Sequence, residues 1–229
     1  MKTELNSETV KKYGTDAGAS VVGISASNDF ALAPDGFKPS DILPGCNSVI
    51  VLGAPFSPGT LELNPPEYTE LRNAFISKMT DIAKIVAKRI KADGYKVKDI
   101  SAIGGKWVEE GGKKEHHGHI SLKHAAELSG LGVITRNYLL TSPQYGNLLW
   151  LSAVLTDADL TPDEKLQNNY CENCKLCVEI CPVGALDDSG RFGRIECARH
   201  FVIENKQLVI KCWKCRAVCP NRFGEFEND

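Results

Sequence analysis

Apolar residues follow two kinds of pattern along this chain. Val21-Val-Gly-Ile-Ser-Ala26, Ser48-Val-Ile-Val-Leu-Gly-Ala54 and Leu148 to Thr156 are apolar runs too short for helices, so they predict buried strands. The run from Ser48 is continuous, as in a sheet covered on both faces. Tyr95 to Ile103 alternates apolar with polar residues and predicts another strand. Between these, Tyr68, Leu71, Phe75, Met79, Ile82, Val86 and Ile90 recur at three- and four-residue steps. That stripe predicts a long helix whose apolar face is core. Asn64 is its N-cap, Pro65 stands in its first turn, and Gly94 stops it. Residues 8 to 18 predict a short helix ending at Gly18, and Ser121 can cap a second one through Leu128, closed by Gly130. Strands interleaved with helices predict an α/β layer.

Two stretches lack periodicity. Ser27 to Gly45 is rich in Pro, Gly and Asp and reads as a loop. Gly104 to Ile120 also reads as a loop; it carries Gly104, Gly105, Gly111, Gly112, Lys113, Lys114, His116, His117 and His119. Its glycines match neither phosphate-loop spacing nor GxGxxG. A solvated loop tip is the first reading, and a phosphate- or carboxylate-holding loop the second. Thr161-Pro162-Asp-Glu is a polar boundary, placing an α/β domain over 1–162 and a smaller domain over 163–229.

The smaller domain carries the chemistry. Cys171-Glu-Asn-Cys174-Lys-Leu-Cys177-Val-Glu-Ile-Cys181-Pro182 has the spacing that wraps three thiolates round one [4Fe–4S] cube and sends the fourth to another. Cys212-Trp-Lys-Cys215-Arg-Ala-Val-Cys219-Pro220 repeats it, with Cys197 displaced to fifteen residues before Cys212. The crossed pattern of a two-cluster ferredoxin assigns Cys171, Cys174, Cys177 and Cys219 to cluster A. It assigns Cys197, Cys212, Cys215 and Cys181 to cluster B. Residues 198–211 must return the chain to the same cube, as a short helix or hairpin. Structural zinc is the competing reading, but it requires neither a third cysteine nor the x₃-Cys-Pro ending. Trp213 is expected to shield cluster B, His200 to pack near a cluster, and Cys46 to be a small buried hydrophobe.

Composition narrows the setting. A formal net charge of −2 lacks the overall basic footprint of a nucleic-acid binder. No run approaches the roughly 20 apolar residues of a membrane span, and Met1-Lys-Thr-Glu-Leu-Asn-Ser lacks the apolar core of a signal peptide. Cysteines that must stay reduced during cluster assembly favour the cytoplasm.

Three segments carry a family resemblance. Ser121-Leu-Lys-His-Ala-Ala-Glu-Leu-Ser-Gly-Leu-Gly-Val-Ile-Thr-Arg-Asn-Tyr-Leu-Leu140, Pro143-Gln-Tyr-Gly146 and Leu151-Ser-Ala-Val-Leu-Thr-Asp157 resemble the middle of epoxyqueuosine reductases and, more distantly, reductive dehalogenases. The resemblance is close from Ser121 to Phe223 and extends to the N-terminal third only in its order of elements. It implies a nitroreductase-like, cobalamin-holding α/β domain followed by a two-[4Fe–4S] ferredoxin-like α+β domain. It implies that the clusters pass low-potential electrons to a corrinoid, which reduces an organic substrate. Ser121, Gly130, Gly132, Thr135, Arg136, Asn137 and Tyr138 match positions lying against the corrinoid in such enzymes.

The resemblance fails at the catalytic acid. The family carries an aspartate where this chain has Glu115-His116-His117-Gly118-His119, so His116, His117 and His119 become the candidate proton donors and another substrate is expected. A chain of this length is also expected to lack a tRNA-binding extension. An external ferredoxin or flavodoxin is the expected electron donor, with a small-molecule substrate or a corrinoid protein as acceptor. The alternatives are a non-catalytic electron carrier or reductive activator of a partner protein and, more weakly, flavin in the α/β domain.

Overall fold

A computed structural model describes residues 4–103, 105–110 and 113–225. In chain order the elements are α1 (Ser7–Asp16), β1 (Val21–Ala26), α2 (Pro39–Ile42), β2 (Ser48–Pro55), α3 (Pro65–Ala92), β3 (Val97–Ile100), β4 (Gly105–Glu110), β5 (Lys113–Gly118), α4 (Leu122–Leu128), β6 (Val133–Ile134), β7 (Leu140–Thr141), β8 (Leu149–Thr156), α5 (Leu176–Glu179), α6 (Arg194–Ala198), β9 (Phe201–Glu204), β10 (Gln207–Ile210) and α7 (Lys214–Ala217). Two compact units result. The first holds Met1–Ala54, Ile76–Leu131 and Trp150–Leu166; the second holds Pro55–Phe75, Gly132–Leu149 and Gln167–Asp229. The chain passes to the second unit for the last time after Leu166, and that unit also takes in two earlier segments.

The first unit is built on a four-stranded sheet ordered β1-β2-β8-β3. β1 pairs with β2 antiparallel, Ile24 opposite Ile50, and β3 pairs with β8 antiparallel, Ile100 opposite Ala153. Val49, Ile50, Val51 and Leu52 have no accessible surface, so β2 is covered on both faces as its unbroken apolar run requires. Each such side chain contributes about 1.5–3 kcal/mol relative to exposure. Met79, Ile82, Val86 and Ile90 of α3 are buried as the stripe predicts. α1 and α4 both pack against β1. A Cβ on Gly23 of β1 would sit 2.5 Å from the Ser129 carbonyl, so the end of α4 approaches the strand as only glycine permits.

The helix ends follow local chemistry. Asn6 accepts the Thr9 amide (2.8 Å) to cap α1. At α3, Glu67 donates its amide to the Asn64 side chain (3.1 Å) and its carboxylate accepts the Asn64 amide (3.2 Å), a reciprocal capping box. The same helix closes with Tyr95 N bonded to Ile90 O and Gly94 N to Lys91 O, with Gly94 at φ 94°.

Three expectations are corrected. Gly104 to Ile120 is not a loop: β4 and β5 form an antiparallel hairpin with Trp107 opposite His116 and Glu109 opposite Lys114, while Gly104, Gly111 and Gly112 lie outside the described residues. The strand expected over 95–103 is confined to Val97–Ile100. Ser121 holds the N-cap position of α4 without a side-chain cap bond; its hydroxyl pairs with His124 Nδ1 at 2.7 Å instead. No helix of the described residues is long and apolar enough to cross a membrane.

Candidate metal centre

Both cysteine repeats fold into the same local shape within the second unit. After Cys171 and Cys174 the chain enters α5, which carries Cys177, and Cys181 follows its last turn. After Cys212 it enters α7, which carries Cys215, and Cys219 follows. Each one-turn helix is closed by a matching amide, Ile180 to Leu176 O (3.0 Å) and Val218 to Lys214 O (2.9 Å), and each is followed by a proline that cannot extend it. α5 packs against α7, which brings the two repeats together.

Cys197 is returned to this group by a hairpin. It sits on α6, and the segment to Cys212 forms antiparallel β9 and β10 with Phe201 opposite Ile210. Asn205 and Lys206 turn the hairpin with φ of 49° and 65°, the left-handed pair of a two-residue turn. The Lys211 amide then bonds to His200 O at 2.8 Å, so the hairpin closes between Cys197 and Cys212.

Cys171, Cys174, Cys177 and Cys219 line one cavity, together with Thr135, Asn137, Tyr170, Leu176, Pro220 and Asn221. Arg136 N lies 3.4 Å from Cys171 Sγ, an amide aimed at a ligand sulfur. Burial and the negative charge of neighbouring cysteines push the Cys177 and Cys219 thiols up, and an Asn147 side-chain hydrogen bond eases Cys219. Thiols that resist ionising together are what a bound cation relieves, so the donor set fits a cluster. Among the described residues no three His, Cys, Asp or Glu side chains are placed to hold a single metal ion.

The second group is drawn together around Cys215. Burial pushes its thiol up to about 11, Arg216 opposes that, and Cys197, Cys212 and Cys177 raise it further through their charge. Cys181 Sγ accepts the Ala185 amide at 3.2 Å. Trp213, half-buried, stacks on Tyr68 with centroids 4.1 Å apart and donates Nε1–H to Leu61 O. His200 gives its amide to Cys197 O at 3.2 Å. In the first unit Cys46 is buried, and its thiol points to Ser48 O (3.4 Å) with burial raising it further.

The segment Thr135 to Tyr138 belongs to the cysteine site. Asn137 is 4 % exposed; its Oδ1 accepts Thr135 Oγ1 and Leu139 N, and its Nδ2 donates to Cys215 O at 3.2 Å. Arg136 reaches Asp188, and Tyr138, at φ 60°, stacks on Phe192 at 5.2 Å. A Cβ on Gly132 would meet Thr141 O at 2.4 Å. Ser121 and Gly130 lie in the first unit, where a Cβ on Gly130 would meet Glu164 O at 2.3 Å. His117 is half-buried on β5, 5.6 Å from the Phe37 ring, and His119 is half-buried just after that strand. The His116 side chain lies outside the described residues.

Two residues of the site carry no mark in the sequence. Asn147, 1 % exposed, donates Nδ2 to Arg216 O at 3.2 Å, and the Arg216 guanidinium donates to Asn147 O. Sixty-nine positions separate them; Arg216 stands between two cysteines of the second repeat, but nothing in that spacing marks it for burial, and Asn147 lies outside both repeats.

The four-cysteine run coincides with a match to a family model described as a 4Fe-4S binding domain, over residues 165–187. Across 205 residues, 82% of this chain and 55% of that protein, the sequence is 26% identical to an epoxyqueuosine reductase of Pseudomonas aeruginosa. The chain resembles the epoxyqueuosine reductases. A second such reductase, from Bacillus cereus, is 24% identical over 83% of this chain and 52% of its own length. The chain thus spans about half the length of these curated relatives. Among solved structures, an epoxyqueuosine reductase of Streptococcus thermophilus superposes with a TM-score of 0.63 at 17% identity, over 94% of this chain and 65% of that one. A reductive dehalogenase whose structure bears on B12-dependent dehalogenation superposes at 0.73 and 21% identity, over 96% of this chain and 32% of that one. At these identities the superpositions establish the shared mixed α/β fold.

Proposed function

We propose that this chain is an iron–sulfur oxidoreductase with two [4Fe–4S] clusters, delivering electrons to a corrinoid and on to a small organic substrate other than epoxyqueuosine. The observation that carries the reading is the cavity lined by Cys171, Cys174, Cys177 and Cys219, three residues of one repeat and one of the other. Cys181, Cys197, Cys212 and Cys215 would hold the second cluster. Such clusters, when bound, supply one-electron transfer at low potential.

The chain's own residues set the surroundings. Arg136 N and the Asn147 amide address ligand sulfurs, and Tyr170, Leu176 and Pro220 complete the apolar lining of the first site. A corrinoid as cofactor is favoured by the likeness to a dehalogenase whose structure bears on B12-dependent dehalogenation, and the nitroreductase-like reading of the first unit is part of the same proposal. The polar side-chain atoms of Ser121, Thr135 and Asn137 are already hydrogen-bonded within the protein, so these positions would offer a corrinoid backbone and bulk. Gly130, Gly132, Arg136 and Tyr138 complete that candidate set. His116, His117 and His119 are the proposed proton donors near neutral pH.

A carrier that docks a partner, with no organic substrate of its own, is the second reading. Leu176, on the cysteine cavity, and Ile180, one helical turn on, are 42% and 41% exposed, a surface suited to a protein partner such as a ferredoxin, flavodoxin or corrinoid protein. Anaerobic reconstitution, iron and sulfide counts, and titration with cobalamin followed by absorption and EPR separate the readings. Eight irons and a shifted cobalt signal are expected for the reductase. Eight irons with unperturbed cobalamin would leave the carrier, and four or fewer irons would end both.

A further inference from the structure

Among the described residues one charged side chain is buried, and it stands beside a cluster ligand. Arg216 follows Cys215 on α7 and is 8 % exposed. Its guanidinium donates to the Asn147 carbonyl, and no carboxylate pairs with it among the described residues. The cations near the first cysteine group differ. Arg136 and Lys175 both reach Asp188, at 3.7 and 2.5 Å, and both Lys175 and Asp188 are more than half exposed. Solvent and a carboxylate therefore screen Arg136 and Lys175, and Arg222, which donates to Cys219 O at 3.4 Å, is only partly buried, whereas Arg216 faces its neighbours through protein.

A buried cation without a counter-ion is costly, so its surroundings must supply negative charge. A thiolate-bound cluster held by Cys215 would do so. A reduced cluster carries one more negative charge than an oxidised one, and a fixed cation nearby favours the reduced form. We propose that Arg216 raises the reduction potential of the cluster held by Cys215, making it the electron sink of the pair. The redox step is the gain of one electron by that cluster from an external one-electron reductant, with no bond made or broken and no proton moved. The proposal rests on the two-cluster reading above.

The test compares wild type, Arg216→Gln and Arg216→Lys, each reconstituted anaerobically, counted for iron and sulfide, and titrated with dithionite under EPR. Cys197→Ser identifies the wave of the cluster that contains Cys215. In Arg216→Gln the reduced-to-oxidised ratio of that wave, at the wild-type midpoint, should fall roughly tenfold, about 59 mV for a one-electron couple. Arg216→Lys should restore most of it, and the other wave should stay in place. Equal movement of both waves, movement of neither, or loss of about half the iron in Arg216→Gln would overturn the proposal; the last would make Arg216 a scaffold residue. Wild type with four irons or a single wave would instead overturn the two-cluster reading, and this proposal with it.

Discussion

The first unit buries Val49 to Leu52, Met79, Val86 and Ile90 completely, and its helices close over a sheet of apolar strands. The 167–229 segment of the second unit buries little that is apolar: Cys177, Ala185, Leu186, Val209 and Ile210 are its buried apolar residues among those described. Beside them it buries an arginine, while its other cysteines stay partly accessible. One unit has the composition of a core that assembles by excluding water. The cysteine segment has too little apolar burial for that and, on the cluster reading proposed above, would gain its order from bound metal, as small metal-binding domains do. The contrast teaches that the apolar core and the candidate metal ligands are divided between different stretches of the chain.

Removing the iron tests that division most severely. Chelation, or Cys177→Ser with incomplete reconstitution, should abolish hydrogen-exchange protection across 171–219 while amides of β2 and the buried face of α3 stay protected. Uniform loss across both would break the comparison. Leu52→Ala is the reverse experiment. It should cost about 2–5 kcal/mol in chemical denaturation while the folded protein keeps its full iron count. Asn147→Ala removes an amide that serves both Arg216 O and Cys219; it should cost about 1–3 kcal/mol and speed iron loss to a chelator. Asn64→Ala breaks the α3 capping box and should cost about 1 kcal/mol in thermal melting. Lys175→Ala, at an exposed ion pair with Asp188, should change stability by less than about 1 kcal/mol.

Local signals in the chain translated well where the structure they specify is local. The stripe from Tyr68 to Ile90, the Asn64 cap and the Gly94 stop all appear in α3, because each depends on residues within five positions. The hairpin over 105–118 was less legible. Its strands are rich in Glu, Lys and His and so lack an apolar alternation. The usable signals were Gly111-Gly112 between two short runs, and the sign of the charges that oppose each other, Glu109 with Lys114 and Glu110 with Lys113. Thr135 and Asn137, matched by resemblance to positions beside a corrinoid, also line the cysteine cavity, a placement that needs the packed second unit.

The sequence by itself determined the cysteine spacing, and with it two one-turn helices that each present ligands along a short path. It also determined the strand runs and the ends of the long helix, since propensity, capping and turn chemistry act over a few residues. The crossed spacing also pointed Cys219 to the first three cysteines, whereas tertiary structure alone decided that Asn147 reaches across sixty-nine positions to Arg216 and that this arginine is enclosed. Those outcomes follow from α5 packing on α7 and from the closing of β9 on β10. Contacts between distant segments form only when whole elements meet, and burial of a charge is a property of that meeting and not of the residue.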